Sequence, residues 1–445
     1  MGDETLGFAT AQIHAGQDRD AKHGARVIPI HLASGFAFDD FEQARDRFSG
    51  DDDGFSYTRM GNPTNSAVER KLAVLERGRE AILVGSGQAA LTVAMLGLLR
   101  AGDHIVSSRH IYEGSRGLFR ENFACFGITV DFVDNIDELG AWRAAVRPET
   151  RAIFAESIAN PRNQVLDVPL VAAVAHDAGV PLVIDNTFAT PYLHRPLEWG
   201  ADIVVHSTSK FLSGHGAALG GAVIESGKFD WSADPSLWPQ LDLAQHGSHA
   251  YFVYARNTVA GRLGPTIAPF NAFLLQQGIE TLSLRVERHS ANAFEVANWL
   301  AQQPEVESVD YAGLATSPSR EVIRRLYENG YGSVFAFTLH SGEAGAKALI
   351  ERLQLFSHMS HLGDVRSLIL HPATTSHARL SQTEREQLGI SPGMLRVSIG
   401  IEDVADLLRD LRHGLDAAAQ TSRSSVGISE ADRSSLVSSS ATARI

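Results

Sequence analysis

Cysteine is nearly absent from this chain: among 445 residues there is one, Cys125. A single thiol allows no disulfide framework and no cysteine-based zinc site within one chain, and it fits a reducing, cytoplasmic setting. Long apolar runs are missing too. No stretch reaches the roughly 18 residues of a membrane span, and the first twenty residues lack the apolar core of a signal peptide. Positive charge is also scarce, with 39 Lys and Arg against 52 Asp and Glu, a formal net charge of −13. A nucleic-acid binder needs a basic face to displace counterions, so no nucleic-acid partner is expected. Hydrophobic residues make up 44% and charged residues 20% of the chain. That composition buries a sizeable core and is far from disordered or fibrous chains. The expectation is an acidic intracellular enzyme with neither a nucleic-acid nor a membrane partner.

Residues 1–63 carry much charge and glycine and little apolar periodicity; they read as an arm with one helix near 41–48 and a polar loop at 51–56. A helix begins at 63. Short β-rich runs then alternate with helical stretches, at 81–84, 104–107, 129–133, 152–156, 181–185, 202–206 and 221–224. Runs of four or five apolar residues separated by helices indicate a mainly parallel, buried sheet. The expected fold is α/β, with a large seven-stranded domain over 64–263. Beyond it, 264–278 reads as a connector and 278–303 as one long amphipathic helix. Strand runs at 306–311, 332–339 and 394–399 follow without regular alternation, which points to a smaller α+β domain over 264–420. Residues 421–445 hold nine serines and little apolar clustering, the composition of a disordered tail.

Lysine is as informative as cysteine. There are five: Lys22, Lys71, Lys210, Lys228 and Lys347. Four read as exposed residues of loops or helices. Lys210 directly follows the strand run at 202–206 and precedes a loop of small residues at 214–221. In an open α/β sheet the carboxyl ends of strands border the ligand crevice. A lysine there, beside Ser207 and Ser209, is a candidate Schiff-base amine or phosphate ligand. The run at 181–185 likewise ends in an acid, Asp185. A carboxylate at that position is what a pyridinium nitrogen needs, because the paired charge keeps the ring protonated and electron-withdrawing; a helix cap or a metal ligand is the alternative. The run at 81–84 leads into GSGQAA (85–90) and then a helix. Glycines at such a turn let backbone N–H groups reach a phosphate at the positive helix end. The same letters match a dinucleotide fingerprint, but that motif wants an acid ending the next strand about 20 residues on. Here Asp103 precedes the next run instead.

Other pieces are less specific. Tyr57 and Arg59 sit in a polar loop. Tyr112 follows a strand, where an aromatic ring either stacks on a flat ligand or simply packs. Asn160 follows the strand ending at Glu156. Arg396 lies in an apolar run with Ser398, and such an arginine usually meets a carboxylate or a ligand. His358, His361, His371 and His377 have no tight ligand spacing on one helix, so no metal site is expected.

Together these segments resemble the pyridoxal-phosphate enzymes of cysteine and methionine metabolism, the cystathionine γ-synthase family. The resemblance runs from TAQIHAG (10–16) to RVSIGIED (396–403). Its anchors are YTRMGNPT (57–64), SGQAA (86–90), VIDNTFATP (183–191) and DIVVHSTSKFLSGH (202–215). Within the family the chain is most similar to the O-acetylhomoserine sulfhydrylase branch, through its opening motif, the segment 229–254, and SHARLS (376–381) after LGDVRSL (362–368).

The resemblance implies the type I, aminotransferase-type fold and pyridoxal 5′-phosphate as cofactor. It implies that Lys210 anchors the cofactor and moves protons, Asp185 pairs with the pyridine nitrogen, and Tyr112 stacks on the ring. Gly87, Gln88, Ser207 and Ser209 would hold the phosphate, and Asn160 would face the ring hydroxyl. Tyr57 and Arg59 would reach the phosphate of a neighbouring subunit, so the assembly would be at least a dimer with shared active sites, and a homotetramer is expected. Arg396 would clamp the substrate carboxylate, with His361 and Tyr57 nearby. The implied reaction is γ-replacement, from O-acetylhomoserine and sulfide or a small thiol to homocysteine and acetate. A γ-lyase or a cystathionine γ-synthase would use the same residues; a non-catalytic regulator is more remote. Four positions depart from the family pattern: Ser209 for Thr, Glu113 for Gly, Arg116 among uncharged neighbours, and His361 for Asn or Ser. The last three bear on the substrate end.

Overall fold

The computed structural model describes residues 6–17 and 23–439, with 422–439 as backbone alone. Two compact units emerge. The first takes the chain through Asn160, then Val165–Glu287 and Glu321–Gly332; the second takes Pro161–Gln164, Arg288–Arg320 and the chain from Ser333. The division at 287/288 differs from the expected 263/264, and the N-terminal arm groups with the large unit.

The first unit is built on seven strands: β1 (Glu80–Val84), β2 (His104–Ser108), β3 (Thr129–Val133), β4 (Thr150–Glu156), β5 (Leu182–Asp185), β6 (Ile203–His206) and β7 (Gly221–Glu225). Their order is β1-β7-β6-β5-β4-β2-β3. Every residue of β2, β6 and β7 is buried, which is why apolar residues stand side by side in them (Ile105-Val106, Ile203-Val204-Val205, Ala222-Val223-Ile224) instead of alternating with polar ones. β7 is antiparallel to both β1 and β6, while the other pairs are parallel. Strands β1, β6, β5, β4 and β2 therefore all end at one edge of the sheet, at Val84, His206, Asp185, Glu156 and Ser108.

Two helices set that edge. Pro63–Glu76 starts at Asn62, whose Oδ1 accepts the N–H of Thr64 at 2.9 Å, with Pro63 at its first position. Gly87–Leu96 starts at Ser86, whose Oγ accepts the N–H of Ala89 at 3.1 Å. Segment 229–254 packs behind the second helix. Trp231 stacks on Tyr251 with centroids 5.1 Å apart, and the Tyr251 hydroxyl donates to the carbonyl of Ala94 at 3.1 Å.

The second unit holds β8 (Val306–Asp310), β9 (Val334–Leu339), β10 (Ser357–His358), β11 (Leu368–Leu370) and β12 (Met394–Ser398), ordered β10-β11-β12-β9-β8. All pairs but β10–β11 are antiparallel.

The long helix expected at 278–303 is Leu282–Leu300, but the expected connector at 264–278 is mostly a further helix, Pro269–Ile279. That further helix buries Ala272, Leu275, Gln276, Gly278 and Ile279, too wide a face for an amphipathic period to show. Where the sequence reads a disordered tail from 421, the backbone continues as helix through Ser439; residues 440–445, and the side chains of 422–439, lie outside the described residues. Lys71 is not exposed as expected. It is fully buried, and its Nζ donates to the carbonyls of Gln12 at 2.7 Å and Ile13 at 2.9 Å near the end of helix Phe8–His14. Burial lowers its pKa to about 8. Lys22 lies outside the described residues.

Candidate active site

The residues expected to hold a cofactor follow the strand ends at the common sheet edge. After β1 come Gly87 and Gln88, the first two residues of helix Gly87–Leu96. After β2 comes Tyr112, after β4 Asn160, at β5's end Asp185, and after β6 Ser207, Ser209 and Lys210. The edge is cross-braced. Ser207 N–H donates to Thr187 Oγ1 at 2.8 Å, and Thr187 N–H donates to Asp185 Oδ1 at 2.9 Å. Lys210 N–H closes a turn on the Ser207 carbonyl at 3.2 Å. Asp185, Ser207 and Lys210 each keep part of their surface open. A buried group lies beside them: His206 Nε2 meets Glu76 Oε1 at 2.6 Å, and Asn186 Nδ2 donates to the same oxygen at 2.9 Å.

Helix Gly87–Leu96 points its N–H groups and positive end at this edge. Gly87 is required there, because a Cβ would stand 2.6 Å from Ser207 Cβ. Ser207 therefore lies directly against the helix start. Ser209 behaves differently. Its Oγ donates to the Gly220 carbonyl at 3.2 Å and accepts Gly220 N–H at 3.0 Å, so its hydroxyl braces the approach to β7 where a phosphate contact was expected. Gln88 Nε2 donates to Ser115 Oγ at 3.3 Å.

Burial raises Asp185 above the ordinary carboxyl range; the hydroxyl and amide of Thr187 and the charge of His206 pull it back. A cationic ring nitrogen would pull it further. Tyr112 is 48% exposed, and its ring lies over Gly114, where a Cβ would collide with it. The next residues explain two departures at once: Glu113 and Arg116 form one ion pair at 3.5 Å, with the Arg116 side chain 3% exposed. The new charges answer each other beside the ring.

Tyr57 and Arg59 share a turn in the arm, with the Arg59 guanidinium 5.6 Å from the Tyr57 ring centroid and bonded to the Gly261 carbonyl. Arg396 and His361 belong to the second unit, where Arg396 in β12 donates through Nη2 to the His361 carbonyl at 3.1 Å. Glu156 and Thr187 were not singled out in the sequence. They join this edge through tertiary contacts that spacing does not reveal, Glu156 to Tyr112 and Thr187 to Ser207.

An anion-binding helix start beside Ser207, a carboxylate poised for a ring nitrogen, an open aromatic face and a half-buried lysine are a donor set that suits pyridoxal phosphate. This defines the class as a pyridoxal-phosphate enzyme of the α/β type. Comparison with known proteins sharpens it. The model of the family described as "Cys/Met metabolism PLP-dependent enzyme" matches residues 9–416, and the chain belongs to that family. It is 44% identical over 424 residues to an O-acetyl-L-homoserine sulfhydrylase of Corynebacterium glutamicum, covering 92% of this chain and 97% of the relative. It is 37% identical to an L-methionine gamma-lyase of Treponema denticola, covering 93% and 98%. A crystal structure of a Campylobacter jejuni protein assigned as an O-acetylhomoserine (thiol)-lyase, containing N′-pyridoxyl-lysine-5′-monophosphate, superposes with a TM-score of 0.87. Its identity is 33%, and the match covers 92% of this chain and 100% of that one.

Proposed function

We propose that this enzyme converts O-acetylhomoserine and sulfide, or a small thiol, to homocysteine and acetate. The observation that carries the choice of reaction is the full-length likeness to the sulfhydrylase, 44% over 97% of its length.

Bound pyridoxal phosphate supplies an electron sink for negative charge developed at the substrate Cα. The protein does the rest. The amides of Gly87 and Gln88, with Ser207, hold the phosphate. Asp185 holds the ring nitrogen in its cationic form. Tyr112 covers a ring face and Asn160 meets the ring hydroxyl. The Lys210 amine takes the α-proton and then moves a β-proton. The γ-carbon loses acetate as its C–O bond breaks and gains sulfur as the C–S bond forms; the proton given up by hydrogen sulfide balances the acetate. Arg396 is the residue for the substrate α-carboxylate, with His361 beside it.

The working assembly is a dimer with shared sites, further paired into a tetramer, in the cytoplasm. Support comes from the arm. Helix Phe41–Ser49 buries none of its residues, while Leu32, Phe41 and Phe48 are 72%, 79% and 80% exposed. Apolar surface of this kind suits coverage by a second copy. No helix among the described residues is long and apolar enough to cross a membrane.

The test is a product panel. Purified holoenzyme is offered O-acetylhomoserine, O-succinylhomoserine, O-acetylserine, cystathionine and methionine, each with and without sulfide. Homocysteine and acetate from O-acetylhomoserine plus sulfide, well above every other pairing, is the expected result. 2-Oxobutanoate and ammonia from methionine as the dominant reaction would make it a γ-lyase.

A further inference from the structure

The ends of β4 and β5 place two carboxyls side by side: Glu156 and Asp185 are partners in the parallel register. The reaction above uses Asp185 and leaves Glu156 without a task. Yet Glu156 is only 7% exposed, and its Oε1 accepts the backbone N–H of Tyr112 at 2.6 Å. The N–H of Asn160 reaches the same carboxyl. One buried side chain thus ties the backbone of the ring-stacking residue, leaving β2, to that of the ring-hydroxyl residue, leaving β4.

Tyr112 has need of such a tie. It precedes a helix of five residues, Glu113–Gly117, and makes no side-chain cap there. Its half-exposed ring otherwise rests on a glycine.

We propose that Glu156 is a positioning residue that fixes Tyr112 and Asn160 against Asp185 and so sets how the cofactor ring is seated, without touching the cofactor itself. The inference rests on the pyridoxal-phosphate reading of the site. Burial, and next the charge of Asp185, push the Glu156 carboxyl well above its ordinary range, against the pull of the two amides. That shift favours the uncharged form of Glu156, so that of the two paired carboxyls Asp185 is the one left to face the ring nitrogen as a charge. Glutamine offers the same acceptor and no charge.

Two variants test this, Glu156→Gln and Glu156→Ala. The readouts are the dissociation constant for pyridoxal phosphate and the visible circular dichroism of the bound cofactor, which reports its seat in a chiral site. Glu156→Gln should keep both close to the parent. Glu156→Ala should weaken cofactor binding by about tenfold, the scale of one buried hydrogen bond lost, and should change the dichroic band. An alanine variant with the parent's affinity and band would overturn the proposal, as would a glutamine variant that folds but loses the band, since charge rather than position would then matter. If the alanine chain does not fold, the glutamine result decides alone. A parent that binds no pyridoxal phosphate would instead reject the reading of the site itself.

Discussion

Gly87 and Ser207 touch so closely that a methyl group on the glycine would stand 2.6 Å from the serine Cβ and 2.9 Å from its Cα. This contact joins the helix start after β1 to the turn after β6. Gly87→Ala should force the two apart at a cost of about 1–3 kcal/mol, the range for overpacking. Most of that should appear as weaker cofactor binding, because the displaced amides are the proposed phosphate donors. Titration with pyridoxal phosphate, followed by absorbance, checks it; unchanged affinity would remove the helix start from the site.

Active sites shared between subunits make a different prediction. An Arg59→Ala chain and a Lys210→Ala chain, each inactive, are mixed and re-associated. Half of the random dimers are hybrids with one intact site of two, so about a quarter of parental activity should return. No recovery despite demonstrated exchange would place Arg59 in its own subunit's site or outside the chemistry.

The turn after Lys210 is held from behind by a buried arginine. Arg285 donates to the carbonyls of Phe211 at 2.8 Å and Gly278 at 2.6 Å, and to Thr281 Oγ1 at 3.2 Å. Burial lowers its pKa to about 10. Arg285→Met keeps the bulk and strands those acceptors, and should cost about 2–3 kcal/mol of stability. Denaturant unfolding measures the loss; a loss under half of that would mean the turn stands without the brace.

Acid sensitivity should trace in part to His194. It is buried, stacked on Tyr327 at 4.6 Å, and bonded through Nδ1 to the Leu326 carbonyl at 3.0 Å. Burial lowers its pKa to about 4 from the ordinary 6.5. As pH falls below 6.5 the unfolded chain takes the proton first, so stability drains away until the folded value is reached. That amounts to about 3 kcal/mol between pH 6.5 and 4. His194→Asn should be less stable at pH 7 but flatter across this window; an unchanged slope would assign the acid loss elsewhere.

Much of the large unit was legible because both faces of its sheet are covered. The run at 129–133 coincides with β3, and the other six predicted runs differ from β1, β2 and β4–β7 by one or two residues. Lys210 stood out because lysine is rare and one of five falls at a strand end. Contacts between distant residues were not legible. Glu156 and Tyr112 are 44 positions apart, and nothing in the local pattern joins them. Helix Pro269–Ile279 was hidden because it is buried too broadly to show a period, and β10 and β11, of two and three residues, are too short to signal. A buried lysine satisfied by backbone carbonyls, as Lys71 is, looks in sequence like any helix lysine. Glu113 and Arg116 looked like two departures and are one pair.

The central claim is that the chemistry is anchored at Lys210, and Lys71 is its natural rival, a buried lysine whose pKa burial lowers to about 8. Holoenzyme reduced with borohydride, digested and mapped by mass spectrometry settles the matter. The account predicts a stable pyridoxyl adduct on the peptide containing Lys210 and on no other. An adduct on Lys71 or Lys228, or a cofactor that washes away without any adduct, would contradict it.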